Sequence, residues 1–226
     1  MTKAYTWVKR LLDIVCAILG IAGTSPFWLV AIVGILVSDW GPLFYTSTRI
    51  GKGNKPFRMY KFRSMRVARN ADEKSLRADQ DRIFPFGRFI RRFKIDELPQ
   101  LLNILGGSMS VIGPRPVAED QMDLFRTGKW NLAARVAVGL SGPAAIYDFI
   151  YGDRFTDEEE YMEKVFPTRR ELEYVYVKKM NFAYDVKMVW WTLVCIVYAV
   201  FGKVPEKILR QLEKDAAESA ADRSES

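Results

Sequence analysis

From Ile14 to Ser38 the chain carries no charged residue. A run of about 25 apolar-rich residues is long enough to cross the roughly 30 Å hydrocarbon core of a bilayer as a helix. It is too long for a signal peptide, and no small-residue cleavage site stands in the right place. The middle of the run is unusual for a simple span, because Gly20, Gly23, Thr24, Ser25 and Pro26 cluster there. Pro26 removes an i→i−4 hydrogen bond and predicts a kink, and the Ser25 hydroxyl can take up the freed carbonyl. Both flanks are basic: Lys3, Lys9 and Arg10 precede the run, and Arg49, Lys52, Lys55 and Arg58 follow it. Positive flanks favour the cytoplasmic side. A straight span cannot place both there, whereas a helix broken at Ser25-Pro26 that enters and leaves by one face can. An ordinary kinked span is the competing reading.

The remainder has the apolar content to bury a core. The 226 residues are 49% hydrophobic, which fits one domain with appendages. The net charge of +7 is uneven. Residues 1–116 hold 19 Lys and Arg against 8 Asp and Glu, and residues 117–226 hold 15 against 19. A basic front half points to an anionic partner: nucleic acid, acidic lipid or a phosphorylated substrate. The chain has no His, which excludes Ser-His-Asp and Cys-His nucleophile schemes and all His metal sites. Cys16 and Cys195 stand far apart in apolar runs and support neither a disulfide framework nor a zinc site. A bound metal is then expected to be a hard, oxygen-ligated ion such as Mg²⁺.

Two adjacent acids, Asp96 and Glu97, lie between a basic stretch (Arg88, Arg91, Arg92, Lys94) and the apolar run Leu101 to Leu105, which Gly106-Gly107 stops. Pro99 reads as part of a first helical turn, which puts both acids at or just before a helix N-terminus. A helix dipole there keeps a carboxylate ionised and favours phosphate. An ionised Asp among arginines suits phosphoryl transfer. By local pattern alone, Asp96 as an N-cap and Glu97 as a first-turn acid is the plainer reading.

Around this centre, Phe44-Tyr45 reads as a short strand before a basic turn-rich loop at 46–57. Phe57 to Met65 alternates like a strand with one cationic face. Residues 66–82 read as a surface helix or loop. Phe86 to Lys94 has helical spacing, with Arg88, Arg91 and Arg92 on neighbouring turns. Prolines on both sides of Arg115 stiffen the backbone around it, which suits bidentate phosphate recognition. Residues 117–136 read as a helix and connector, 137–153 as a loop, and Arg169 to Lys179 as a helix. Met188 to Phe201, about 14 apolar residues with Trp190, Trp191 and Tyr198, is too short to span and suits either a membrane-interface helix or a buried core helix. The tail from about Lys214 is Ala-, Glu- and Ser-rich and is expected to be disordered.

Four blocks in order resemble the bacterial sugar transferase family, the monotopic polyprenyl-phosphate phosphoglycosyl transferases. They are Lys9-Arg10-Leu11-Leu12-Asp13 with the Ser25-Pro26 helix; Arg49-x-Gly51 followed by Lys61-Phe62-Arg63-Ser64-Met65; Arg91 with Asp96-Glu97-Leu98-Pro99-Gln100-Leu101 and Asn103; and Met109-Ser110-Val111-Ile112-Gly113-Pro114-Arg115-Pro116. A weaker fifth is Tyr176-Val177-Lys178 with Asp185. The resemblance covers nearly the whole chain and looks like the minimal catalytic form, without the multi-span N-terminal domain of larger members.

The resemblance implies an α+β fold, predominantly helical with a few short strands. Residues 1–40 would be a re-entrant membrane anchor, 41–213 a catalytic domain on the cytoplasmic face of the bacterial inner membrane, and 214–226 a tail. It implies transfer of a phospho-sugar from a UDP-sugar to undecaprenyl phosphate with release of UMP, the first membrane step of a glycan pathway. Mg²⁺ is the implied cofactor, held by Asp96 and Glu97. Asp96 would be the nucleophile that forms a covalent phospho-sugar intermediate, and Glu97 would handle metal or protons. Phosphate binding falls to Arg88, Arg91 and Arg115, with Lys61 and Arg63 in the same shell. Inner-membrane lipids and downstream glycosyltransferases are the implied partners, and nucleic acid is disfavoured. The chain departs from the family at Ala137 to Ala145, where a basic residue, a Trp and a Gln usual in members are replaced. That departure bears on the nucleotide-sugar contacts. It is the basis of a second reading, a catalytically altered relative serving as a lipid- or partner-binding scaffold.

Overall fold

In the computed structural model, residues 3–67, 82–151 and 158–221 are described. The expected surface segment at 66–82 falls largely outside them. Helices dominate, with four short strands among the described residues.

Helix α1 (Lys3–Ser38) runs without interruption through Pro26. The expected break at Ser25-Pro26 is therefore absent from the helical ladder. The reason is local: the Ser25 hydroxyl donates to Ala22 O at 2.8 Å, the carbonyl that Pro26 leaves without a donor. Thr24 likewise donates to Gly20 O at 2.6 Å. At 1.5 Å per residue the helix is about 54 Å long.

Small residues at helical spacing let α1 lie close to the rest of the chain. Ala17, Ala31 and Ile35 are fully buried. A Cβ at Gly34 would sit 2.2 Å from the Phe86 ring. Polar ties fix both ends. Near the start, Lys9 pairs with Asp185 at 2.6 Å, Arg10 donates to the Ile104 and Leu105 carbonyls, and Asp13 accepts from Ser110 Oγ and Val111 N. Beyond the far end, Arg63 clamps Asp39 and donates to Pro42 O.

Strands β1 (Phe44–Ile50) and β2 (Pro56–Phe62) form an antiparallel hairpin, closed by a 3-10 turn at Lys52–Asn54 with Gly53 at positive φ. Residues 46–50, expected as loop, are thus strand: the β-branched Thr46, Thr48 and Ile50 fall at alternate positions, and pairing with β2 decides the matter. The cationic face expected of β2 is also absent. Arg58 and Lys61 have opposite parity and fall on opposite faces.

After α2 (Pro85–Arg92), a 3-10 turn at Ile95–Glu97 leads into α3 (Gln100–Leu105) and strand β3 (Met109–Ile112). Short turns and α4 (Met122–Phe125) cross over to β4 (Val138–Ser141), which pairs in parallel with β3. Then come α5 (Pro143–Tyr151), α6 (Glu158–Lys164), α7 (Phe166–Lys179), α8 (Phe182–Val200) and α9 (Glu206–Ala221). The stretch 137–153 is accordingly a strand and a helix, not a loop. Pro143 opens α5 at its first position and two alanines follow, which is a helix-start signal.

Apolar residues gather in three main places. Ala17 packs on Met59, Leu101, Ile104, Met109 and Val138. Ala31 and Ile35 pack on Phe62, Phe84, Ile90 and Ile95. The largest group joins α5, α7, α8 and α9 through Tyr147, Leu172, Tyr176, Met188 and Leu212. The tail expected to be disordered is helical to Ala221, because Leu212 and Ala216 are buried in this group and Asp215 accepts from Lys179 at 3.0 Å.

α8 begins at Phe182, six residues before the expected start, with Asn181 capping the Tyr184 N–H. It is mostly exposed, so it is not a buried core helix. Trp190, Leu193 and Val197 stand open on it, as do Leu11, Leu19, Leu29 and Val37 on α1. By length and composition, Tyr5–Ser38 and Phe182–Val200 could each cross a membrane.

Candidate active site

The Asp96-Glu97 turn is shaped by its neighbours on the chain. α2 ends at Arg92, and Lys94 adopts a left-handed conformation (φ 56°, ψ 21°) that swings the backbone into the 3-10 turn. Ile95 is buried among the α1 and α2 side chains and pins the turn from below. Pro99 then starts α3.

A second tie brings a cation to the acids. Asn103 on α3 donates to Arg58 O at 2.7 Å and accepts from Tyr60 N at 2.9 Å. This fixes β2 against α3. The next residue on the strand, Lys61, reaches Glu97 with Nζ 2.9 Å from Oε1.

The two carboxyls are not equivalent. Asp96 is 6% exposed, and its Oδ1 has no hydrogen-bond partner among the described residues. Burial, against the pull of Lys61, Lys94 and Arg91, pushes its pKa up to about 6. Burial would raise Glu97 too, but Lys61, Lys94 and Arg115 outweigh it and hold Glu97 down at about 2. So Glu97 is the firmly ionised member. The helix end contributes little here, because α3 is only six residues long.

Arg115 is carried by a segment locked on both sides. Gly113 N donates to Ser141 O at 2.9 Å, and Gly139 N donates to Pro114 O at 2.7 Å. The approach requires glycine at both places: a Cβ on Gly139 would meet Gly113 N at 2.1 Å, and one on Gly113 would meet Gly139 N at 2.7 Å. Arg126, in a buried pair with Glu173 at 2.9 Å, also donates to Arg115 O. The Arg115 guanidinium faces Asp148 on α5 at 3.4 Å and remains 40% exposed. Asp148 also faces Arg169 at 3.9 Å and accepts from the Tyr161 hydroxyl at 2.7 Å. Burial alone would raise Asp148, but Arg115, Arg169 and that hydroxyl hold it below the usual carboxylate range.

The structure thus brings together Asp96, Glu97, Lys61, Arg91 and Arg115. Arg91 and Arg115 act on the acids through their fields, with no ion pair to either carboxylate among the described residues. Arg63 is elsewhere. It is 4% exposed, and its Nε and both terminal nitrogens are spent on Asp39 and Pro42, so it clamps the end of α1 instead of joining the phosphate shell. Arg88 lies exposed on α2 with no contact to the carboxylates among the described residues. Ser25 and Pro26 lie within α1, remote in sequence from this group. Sequence reasoning missed Lys94, Asp148 and Arg169. Lys94 sat in the basic stretch unremarked as a turn residue, and no local signal marks Asp148 in its aromatic surroundings.

The chain's similarities agree with this site. Residues 4–199 match the bacterial sugar transferase family model. A UDP-glucose:undecaprenyl-phosphate glucose-1-phosphate transferase of Escherichia coli (strain K12) is 36% identical over 190 residues, which cover 82% of this chain and 39% of that protein. A UDP-N-acetylgalactosamine-undecaprenyl-phosphate N-acetylgalactosaminephosphotransferase of Aeromonas hydrophila is 34% identical over 194 residues, 84% of this chain and 43% of that protein. An uncharacterized sugar transferase of Bacillus subtilis (strain 168) is 36% identical over 186 residues, 82% of this chain and 85% of that protein. The chain spans about two fifths of the Aeromonas and Escherichia proteins it matches. With a family match over almost its whole length and the acid pair set among cations on that stretch, the chain belongs to the bacterial sugar transferase family.

Proposed function

We propose that this protein transfers a phospho-sugar from a UDP-sugar to undecaprenyl phosphate, releasing UMP, at the cytoplasmic face of a bacterial inner membrane. The observation that carries the chemistry is the buried Asp96 carboxylate, with an unpartnered Oδ1, beside Glu97, Lys61 and the fields of Arg91 and Arg115. Oδ1 is free to form a bond to phosphorus. In the first half-reaction it attacks the sugar-bearing phosphorus, the bond to the UMP oxygen breaks, and the electron pair leaves with UMP. In the second, the polyprenyl phosphate oxygen attacks the same phosphorus and frees Asp96. Lys61 keeps Glu97 ionised, and Arg91 and Arg115 offset the negative charge of the diphosphate.

Mg²⁺ fits this place. Among the described residues no group of three or more acidic or thiol ligands gathers. Mg²⁺ needs only one or two carboxylates when substrate phosphates and water complete its shell. Asp96 and Glu97 would hold it, and it would neutralise diphosphate charge.

The membrane reading rests on α1. Residues 9–13 and Asp39, at its two ends, are tied to the same body of residues that carries Asp96. Such ties favour a helix with both ends on one face of the bilayer over one that crosses it. Its open apolar face and that of α8 would rest in the lipid, residues 1–40 acting as the anchor. The site then meets a water-soluble donor and a membrane-held acceptor at once.

UMP release tests this. Protein in nanodiscs would receive undecaprenyl phosphate, Mg²⁺ and a panel of UDP-hexoses and UDP-N-acetylhexosamines. Asp96→Asn is expected to lower release by at least about a thousandfold. It should leave the melting temperature unchanged or higher, because burial already disfavours the charged carboxylate. Wild-type turnover in that variant would sink the mechanism. Donor binding without release in the wild type would favour the scaffold reading.

A further inference from the structure

Arg49 makes no ion pair among the described residues. It is the second-last residue of β1, and its Nε is shut off from solvent with no acceptor among the described residues. Burial, and then the like charge of Arg115, pull its pKa below the usual guanidinium value; Tyr45 and the exposed Asp120 act the other way, and Arg169 adds to the repulsion. The carboxylates that act on Arg115 are engaged already. Asp148 is shared by Arg115 and Arg169, and Glu173 is held by Arg126. A partly buried guanidinium beside two others is unfavourable unless an anion joins them.

The backbone gives Arg49 little freedom to move away. Ile50 N donates to Val117 O at 2.8 Å, just beyond Pro116, so the end of β1 is stitched to the segment that carries Arg115. Gly51 N donates to Lys55 O at 2.9 Å, and the Asn54 side chain bonds Asn131 at 2.9 Å. Arg115 acts on both Glu97 and Arg49. The positive charge of Arg115 is thus shared between the carboxylate pair and the end of β1.

We propose that Arg49 and Arg115 together form a phosphate-ester subsite that holds a second phosphoryl group beside the one that reacts at Asp96. This rests on the transferase reading above. A guanidinium offers several N–H donors that match phosphate oxygens, and the half-buried Arg49 side chain keeps part of its guanidinium open for that use. Two ligands carry the required chemistry: the nucleotide phosphate of the donor and the phosphate of the polyprenyl acceptor.

The test uses the whole chain in nanodiscs, wild type against Arg49→Gln and Arg49→Lys, with UDP, inorganic pyrophosphate and undecaprenyl phosphate as probes. Without ligand, Arg49→Gln is expected to melt no lower than wild type, since an unpaired charge is removed. Its affinity for the true ligand should fall by about tenfold or more, and Arg49→Lys should recover part of it. If the donor is the source, UDP and pyrophosphate binding fall and the KM for UDP-sugar rises, with the acceptor KM unchanged. The reverse pattern assigns the acceptor. Equal affinity of wild type and Arg49→Gln for all three probes overturns the subsite, as does a lowered melting temperature with unchanged affinity. UMP release at the wild-type rate in Arg49→Gln sinks the subsite and leaves the transferase reading standing. Arg49-dependent pyrophosphate binding without UMP release from any donor supports the subsite and counts against the transferase reading.

Discussion

Asp148 shows how one residue sets the posture of another. It receives the Tyr161 hydroxyl and faces Arg115 and Arg169, so it holds the Arg115 guanidinium in place while leaving part of it open. Its folded pKa lies below the unfolded value of about 3.9. A carboxyl depressed in this way stabilises the fold above the unfolded value, and the contribution fades as pH falls through the folded one. Asp148→Asn is therefore expected to lower the melting temperature at pH 7, and the gap from wild type should shrink as the pH approaches 3. A gap independent of pH would show that charge is not what Asp148 contributes. At this scale the residue types near Asp96 were legible, because acids and arginines in one stretch state their chemistry. Partners were not. Lys61 and Arg63 are two positions apart, yet one meets Glu97 and the other is consumed by Asp39.

Among the elements, the β3–β4 pair decides where Arg115 stands. Parallel strands joined by a long crossover leave no local trace of their pairing. The stretch 137–145, which departs from the family pattern, therefore reads as loop although it forms the floor beneath Arg115. Gly139→Ala places a methyl 2.1 Å from Gly113 N, against rigid backbone. It is expected to destabilise by about 1–3 kcal/mol. It should also lower kcat/KM for the donor, since Pro114 and Arg115 must shift. Thermal melting and initial rates measure the two effects; a normal melting curve with full activity would show that the strands tolerate separation. The helices fared better, since α2, α7 and much of α8 follow from apolar spacing. From Lys214 onward composition alone points to disorder, yet α9 continues to Ala221 because Asp215 and Ala216 are buried.

For the molecule as a whole, the proposed placement of α1 has a direct consequence. Cysteines introduced at Lys3 and at Lys52, with Cys16 and Cys195 changed to Ser, are expected to react with a membrane-impermeant maleimide only after the inner membrane is permeabilised. Reaction of one of the two from outside would establish a span. The sequence by itself determined the membrane-seeking run, the helical bias, the acid pair and the family, because these depend on composition, period and spacing along one stretch. Only the tertiary structure decided that α1 continues through Pro26 and is tied at both ends, that Arg63 holds the end of α1, and that Arg115 faces Asp148. Such outcomes depend on which distant side chain arrives first at a given carboxylate or carbonyl. Long-range packing sets that competition, and no local pattern records it.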